Sequence, residues 1–304
     1  MKIGYPCINR TIGCTSGRTF RLKNYSEERM AATVEQNLRC LNAILRYNAA
    51  HGIYFFRITS DLIPFASHPV CDFDWRGLFE GEFKEIGAFI NSRGMRISMH
   101  PDQFVILNSL DEGVRERSVA ELIYHVHVLE ALGLDRSAKI QIHVGGVYGD
   151  REKSLERFIS RYGDLDRALR DRLVIENDDV SYTVRDCLRI HSETGIPVLF
   201  DYFHHRLNCS GEETGDALAC IAETWASHDG IPMVDYSSDS GDGSRRHAES
   251  IDPVDFNRFL METEKLDFDV MLEIKDKEAS ALKAVTQASG DPRFVSAGRR
   301  DVPS

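Results

Sequence analysis

SMHPDQFVILNS, residues 98–109, starts like a buried strand and ends in a polar cluster. Pro101 has no backbone N–H for a sheet ladder, so the strand stops at His100. A core has no use for His100, Asp102 and Gln103 close together, because every buried polar group needs a partner. Other strands of this chain end in the same way.

Short β-rich runs alternate with helical patterns throughout. The expected strands are KIGYPCI (2–8), IYFFRIT (53–59), RISMH (96–100), KIQIHV (139–144), LVIEND (173–178), VLFDY (198–202), PMVDYSS (232–238) and DVMLEIK (269–275). Helical spacing fills the gaps: EERMAATVEQNLRCLNAILRYNAAHG with Gly52 as its C-cap, about 77–92, about 114–132, REKSLERFISRYG, TVRDCLRIHSETG, TGDALACIAETWASH, about 253–264, and EASALKAVTQ. Eight strand–helix units predict an α/β protein, a single parallel (β/α)8 TIM barrel over residues 1–288. A doubly wound open sheet is the alternative, weakened because no GxGxxG follows the first strand. The polar tail, 289–304, is expected to be flexible.

In a parallel barrel the strand ends converge on the C-terminal face, where active sites are built. His68 follows the second strand, His100 and His143 end the third and fourth, and Glu176 lies in the fifth. Asp201 ends the sixth, with His204 three residues on; Asp235 lies in the seventh, with His247 in the loop after it; Glu273 lies in the eighth. Imidazoles and carboxylates are costly to bury singly, and a ring of them calls for a shared cation such as zinc, manganese or iron. Any one of them is more simply read as a hydrogen-bonded structural residue; the recurrence is what points to a metal cluster at this face. Glu176, near the middle of the ring, is the expected bridging ligand. His205 is not expected to ligate, since neighbouring side chains diverge. His51, His125, His127, His191 and His228 fall in helical patterns or at a helix end and are read as structural. Two or three close metals activate water and clamp a phosphodiester; the same set could hold sugar hydroxyls for isomerisation.

The chain has 304 residues, 42% hydrophobic and 28% charged, with a formal net charge of −11, ordinary for a soluble globular protein. No apolar run approaches a membrane span, and MKIGYPCINR enters a strand at once, so no signal peptide is expected. Seven cysteines are scattered without a CxxC pair, which argues against a disulfide framework and for a reduced cytoplasm. The negative charge disfavours non-specific nucleic-acid binding, but GRTFRLK, with Arg18, Arg21 and Lys23, is a local basic segment able to face a phosphate backbone.

Taken together, GYPCIN (4–9), RITSDLIPFASHP (57–69), SMHPDQFVILNS (98–109), IHVGGVYGD (142–150), IENDD (175–179), FDYFHH (200–205), YSSDSGDGSRRHAESIDPVDF (236–256) and DVMLEIKDKE (269–278) resemble the UV damage endonucleases, DNA-repair enzymes of the xylose-isomerase-like barrel superfamily. The resemblance covers about residues 2–286. It implies a nick on the 5′ side of cyclobutane dimers and 6-4 photoproducts in double-stranded DNA. It implies two or three divalent ions, manganese ahead of zinc or magnesium, on His68, His100, His143, Glu176, Asp201, His204, His247 and Glu273. His100, His143, Glu176, Asp201 and Glu273 are expected to carry catalysis. Gln103 and Phe104 match a polar–aromatic pair that enters the duplex at the lesion, and Tyr5 and Asn9 match residues near the lesion pocket. A monomer acting in the cytoplasm at the nucleoid, without a nucleotide cofactor or membrane, is expected.

One departure matters. Before YSS the resembled family has Lys-x-His; this chain has Met233-Val234-Asp235. Asp235 can still bind a hard cation and is expected to titrate well below neutrality; Met233 offers only a neutral thioether. Two rival functions follow: a lesion-binding protein with weakened cleavage, and a metal-dependent sugar isomerase or epimerase on the same barrel.

Overall fold

The strands are four or five residues long and buried almost from end to end, so their side chains alternate between two packed faces. The computed structural model describes residues 1–240 and 245–295. Its strands are β1 (Ile3–Pro6), β2 (Phe55–Ile58), β3 (Arg96–Met99), β4 (Lys139–His143), β5 (Leu173–Glu176), β6 (Val198–Asp201), β7 (Met233–Tyr236) and β8 (Asp269–Leu272). They pair in parallel and in chain order, and β8 closes on β1. The closed (β/α)8 barrel agrees with the expected fold and excludes the open sheet. Helices α1 (Glu27–Ala50), α2 (Trp75–Leu78), α3 (Glu80–Ser92), α4 (Glu112–Ala131), α5 (Arg151–Gly163), α6 (Arg167–Arg170), α7 (Val184–Thr194), α8 (Tyr202–Leu207), α9 (Thr214–Ala222), α10 (Pro253–Glu262) and α11 (Glu278–Gln287) connect them. Among the described residues no helix is long and apolar enough to cross a membrane.

The helices start where the local chemistry supplies an acceptor for their free N–H groups. Ser26, Asp111, Asp150 and Asp252 each accept from the backbone three residues on, and Pro253 occupies the first turn of α10. The inner stripe of α1, with Met30, Val34, Leu38, Leu41 and Leu45, is buried against the barrel. Each such side chain contributes roughly 1.5–3 kcal/mol by leaving water. The helix expected over about 77–92 is two pieces, because Phe79 leaves helical geometry between α2 and α3. The helix expected through residue 228 ends at Ala222: Thr224 and Trp225 turn inward, and their side chains hydrogen-bond the N–H and C=O of Val198.

Inside the barrel, Phe55, Val174, Leu199, Met233 and Met271 form a closed apolar layer. Below it, Arg96 is paired with Asp269 at 3.5 Å, and Lys139 with Asp229. Above it, two residues further along the same five strands, stand Arg57, Glu176, Asp201, Asp235 and Glu273. The strand period of two therefore lifts five ionisable side chains together onto the C-terminal side of an apolar floor. Gly4 lets β1 approach β2 here: a Cβ on it would lie 2.1 Å from the Phe55 carbonyl oxygen.

Two expectations are corrected. Cys14, in the loop after β1, is disulfide-bonded to Cys40 on α1, their Cα atoms 6.0 Å apart. Scattered spacing gave no hint of the pair, because only the packing of that loop on α1 brings the two within bridging distance. The tail does not loosen at Ser289. Arg293 donates to the carbonyls of Leu260, Thr263 and Leu266, Phe294 is buried, and Val295 N–H donates to the Met1 carbonyl. The rest of the expected flexible tail, 296–304, lies outside the described residues.

Candidate metal centre

Register and caps place the candidate ligand residues. His143 stands directly across from Glu176, and Asp201 across from Asp235. Asp201 is also the N-cap of α8: its Oδ1 accepts from the His204 N–H at 2.7 Å, and its Oδ2 lies 3.1 Å from His204 Nδ1. That cap explains the D-x-x-H spacing. Asn177 holds both ends of this unit. Its side chain exchanges hydrogen bonds with the Asp201 backbone at 2.9 and 3.0 Å, and its carbonyl lies 3.1 Å from His204 Nδ1. A proton on Nδ1, donated to that carbonyl, leaves Nε2 of His204 free to ligate.

Among the described residues three groups of potential ligand atoms result, the atoms of each within 4.8 Å of one another: His100, His143 and Glu176; Glu176, Asp201 and His204; Asp201, Asp235 and Glu273. Glu176 belongs to the first two and Asp201 to the last two, so the groups form a chain across the barrel mouth. Glu176 Oε1 is 3.1 Å from both His100 Nε2 and His143 Nδ1. It is nonetheless buried without a hydrogen bond, since neither approach has hydrogen-bond geometry. Nδ1 of His100 and of His247 is likewise buried and unbonded. Buried acceptors converging without a shared proton are what a cation would satisfy, and the nitrogen and carboxylate donors suit divalent manganese or zinc.

Electrostatics follow from burial. Desolvation opposes ionisation of Glu176, yet His143 and His100 beside it hold its carboxyl down to about 2. For Asp201 desolvation prevails over His204 and raises the carboxyl to about 7, while His204 is raised to about 9, since Asp201 and Glu176 outweigh its own burial. Asp235 is corrected against expectation: burial pushes its carboxyl well above the ordinary value despite Arg57. Nη2 of Arg57 is 2.8 Å from each oxygen of Asp235, and Nη1 contacts Glu273. Gln141 Nε2 reaches Glu176 Oε2 at 2.5 Å and Asp235 Oδ2 at 2.6 Å.

His247 stands at the edge, its Nε2 3.7 Å from Glu273 Oε2. His68 is not brought in. It is exposed on the loop after β2, its Nδ1 accepts from the Val70 N–H at 3.1 Å, and it belongs to none of the three groups. Tyr5 and Asn9 are also corrected: both are buried, Tyr5 donates to Asn48 at 2.6 Å, and Asn9 caps the turn at Thr11 and Ile12. They shape the loop after β1 and offer a duplex no surface. Met233 lies in the apolar layer below the ligands. Gln103 and Phe104 are exposed, Phe104 by 74%, on the wall of a cavity of about 570 Å³ that also holds His100, His143, His247 and Glu273. Phe104 is therefore not a core residue.

Sequence reasoning missed Arg57 and Gln141, although a signal was present: each is the polar residue of an otherwise apolar stretch, FFRI and IQI. His125 is structural, as expected. Its ring is buried, with Nδ1 2.7 Å from the Glu121 carbonyl and Nε2 3.1 Å from the Ser60 hydroxyl. Ser60 donates in turn to the His100 carbonyl at 2.9 Å, so His125 props the strand end that carries His100.

The family model described as "UV-endonuclease UvdE" matches residues 1–294. A "UV DNA damage endonuclease" of Bacillus cereus (strain Q1) is 37% identical, over 95% of each chain. The solved structure of SacUVDE superposes with a TM-score of 0.91 at 44% identity, covering 95% of this chain and 98% of that one. D-psicose 3-epimerase, with a TM-score of 0.54 and 13% identity over 83% of this chain and 94% of its own, shares the barrel alone.

Proposed function

This chain belongs to the UV-endonuclease UvdE family, and on that premise we propose that it is a DNA-repair endonuclease that nicks the backbone 5′ to cyclobutane dimers, 6-4 photoproducts and related lesions by metal-assisted hydrolysis. The observation that carries this reading is one of position. Exposed Gln103 and Phe104 share a cavity with His100, His143 and Glu273. A side-chain pair able to enter an opened base stack thus stands beside groups able to hold cations next to the phosphate.

His100, His143 and Glu176 would hold one ion, Glu176, Asp201 and His204 a second, and Asp201, Asp235 and Glu273 a third. Divalent ions bound there, manganese for preference, supply an activated water and stabilise the charge on the attacking and leaving oxygens. Glu176 and Asp201, each shared by two groups, would each help to hold more than one ion. Arg57 keeps the carboxylates of Asp235 and Glu273 together by balancing part of their charge. Gln103 and Phe104 fill the space left by unstacked bases; a damaged step opens more cheaply, which favours lesions without reading sequence. Double-stranded DNA is the partner and a monomer the acting form.

A second reading, lesion binding with weakened cleavage, is favoured by one feature. Both oxygens of Asp235 are engaged by Arg57, and Met233 lies among apolar side chains. One assay separates the readings. UV-irradiated supercoiled plasmid is incubated with the protein and manganese, magnesium, zinc or EDTA, and a labelled duplex with a single dimer maps the cut. Metal-dependent nicking 5′ to the dimer is expected. Selective binding to irradiated DNA without nicking would select the second reading, and neither binding nor nicking would remove both.

A further inference from the structure

Three cations line the wall of the metal-centre cavity among the described residues: Arg57, Lys275 and Lys277. Arg57 is committed to Asp235 and Glu273, and Lys275 to Glu249 at 2.5 Å. Lys277 makes no side-chain hydrogen bond or ion pair among the described residues, although it is partly buried. Its backbone is also unusual, at φ 55° and ψ −116°, a region that glycine occupies freely and lysine only under constraint. Cys7, on the same wall, is another residue with positive φ, at 68°. The turn from Glu273 to α11 thus holds an unpaired ammonium beside the ligand groups, in a conformation that costs the fold stability.

Resting on the functional reading above, we propose that Lys277 grips a non-bridging oxygen of the phosphodiester that is cut. In that reaction water adds to phosphorus, the P–O3′ bond breaks, and O3′ leaves as a hydroxyl carrying the proton that water gives up. The phosphate stays on O5′, so the strand on the 3′ side of the cut begins with a 5′-phosphate. Negative charge on the non-bridging oxygens is met by an N–H donor that needs no rearrangement to reach it. Lysine suits this role as a compact point charge, and with its neighbours already paired it is the cation left to take an anion.

The test uses the full-length, manganese-loaded protein and a duplex with one cyclobutane dimer. Lys277→Met should slow single-turnover cleavage on the order of a hundredfold. It should also lower the slope of log Kd against log salt by about 0.9, the loss of one phosphate contact. Lys277→Arg should recover part of both. Lys277→Gly, which relaxes the backbone, should be at least as heat-stable as the wild type while sharing the Met defect, which separates the charge from folding. Cleavage and salt slope unchanged in Lys277→Met would overturn the proposal, as would a defect that Lys277→Arg fails to relieve at all. A wild-type protein that binds the lesion without nicking would refute the functional reading instead; an unaltered salt slope in Lys277→Met would then still overturn the phosphate contact.

Discussion

Nη2 of Arg57 lies 2.8 Å from both carboxylate oxygens of Asp235, with both side chains fully enclosed in the barrel. A ligand role and a hydrogen-bond role for Asp235 are therefore not exclusive. The carboxylate faces Asp201 and Glu273 closely enough to share an ion, and it is held there by a guanidinium. Where a neutral imidazole would need no counter-charge, an aspartate beside three other acids does.

Arg57→Met should destabilise the metal-free protein by about 3–5 kcal/mol, because Asp235 and Glu273 lose their cation while still buried. Manganese should then raise the melting temperature of the variant more than that of the wild type, since only the ion remains to balance the acids. Melting curves with and without manganese check this. Equal stability of variant and wild type in EDTA would show that the pair does not hold the site.

Glu176→Ala should lower the bound manganese by more than one equivalent and reduce nicking by about a hundredfold or more, since its carboxylate serves two ligand groups. Metal analysis after gel filtration and the plasmid assay give the two readouts, with far-ultraviolet circular dichroism to verify the fold. A variant that keeps its metal and its rate would remove Glu176 from the bridging role.

Asp235→Asn should weaken manganese binding and nicking together, and excess manganese should restore part of the rate. Calorimetric titration at two metal concentrations, paired with the nicking rate, measures it. Manganese dependence identical to the wild type would leave Asp235 as a partner of Arg57 alone.

Gln103→Ala combined with Phe104→Ala should weaken binding to lesion-bearing duplex more than to undamaged duplex. Wedge contacts form only where the helix opens, whereas phosphate contacts form everywhere. Fluorescence anisotropy on the matched pair of duplexes tests it; a parallel loss on both would assign the pair to general binding.

His125 provides a pH prediction. Burial lowers its pKa from 6.5 to about 4, so the unfolded chain takes up the proton first. Its contribution is full above pH 6.5 and is lost as pH falls from 6.5 towards 4, about 3 kcal/mol in all. His204 works in the opposite direction, its pKa being raised to about 9: its contribution is full below the unfolded value and fades as pH rises through 9. The difference between wild type and His125→Gln, in EDTA, isolates the first effect. Urea unfolding at neutral and mildly acid pH should show a smaller acid loss in the variant; equal losses would mean that His125 is not held neutral.

The barrel and the convergence of these imidazoles and carboxylates at its mouth were legible because both depend on a short-range periodicity. Strands of period two, separated by helical stretches of period 3.6, close as a parallel barrel, and the strand ends then have one place to meet. The same parity also predicts the floor: each of Phe55, Val174, Leu199, Met233 and Met271 precedes a charged residue by two positions. Arg57 was missed although it obeys that rule, because a cation in a buried strand was not matched to the acids across the barrel.

What the sequence by itself determined was which side chains reach the C-terminal mouth of the barrel, since strand parity is a local property. What only the tertiary structure decided was how those side chains are paired and which way the loops turn them. It left His68 exposed and outside the three groups, and buried Tyr5 and Asn9. It joined Cys14 to Cys40, gave Asp235 the guanidinium of Arg57, and left Lys277 without a partner among the described residues. Arg57 and Asp235 are 178 residues apart, and Cys14 and Cys40 are 26 apart. Contacts over such separations are set by the closure of the barrel and the packing of its loops, which no local pattern encodes.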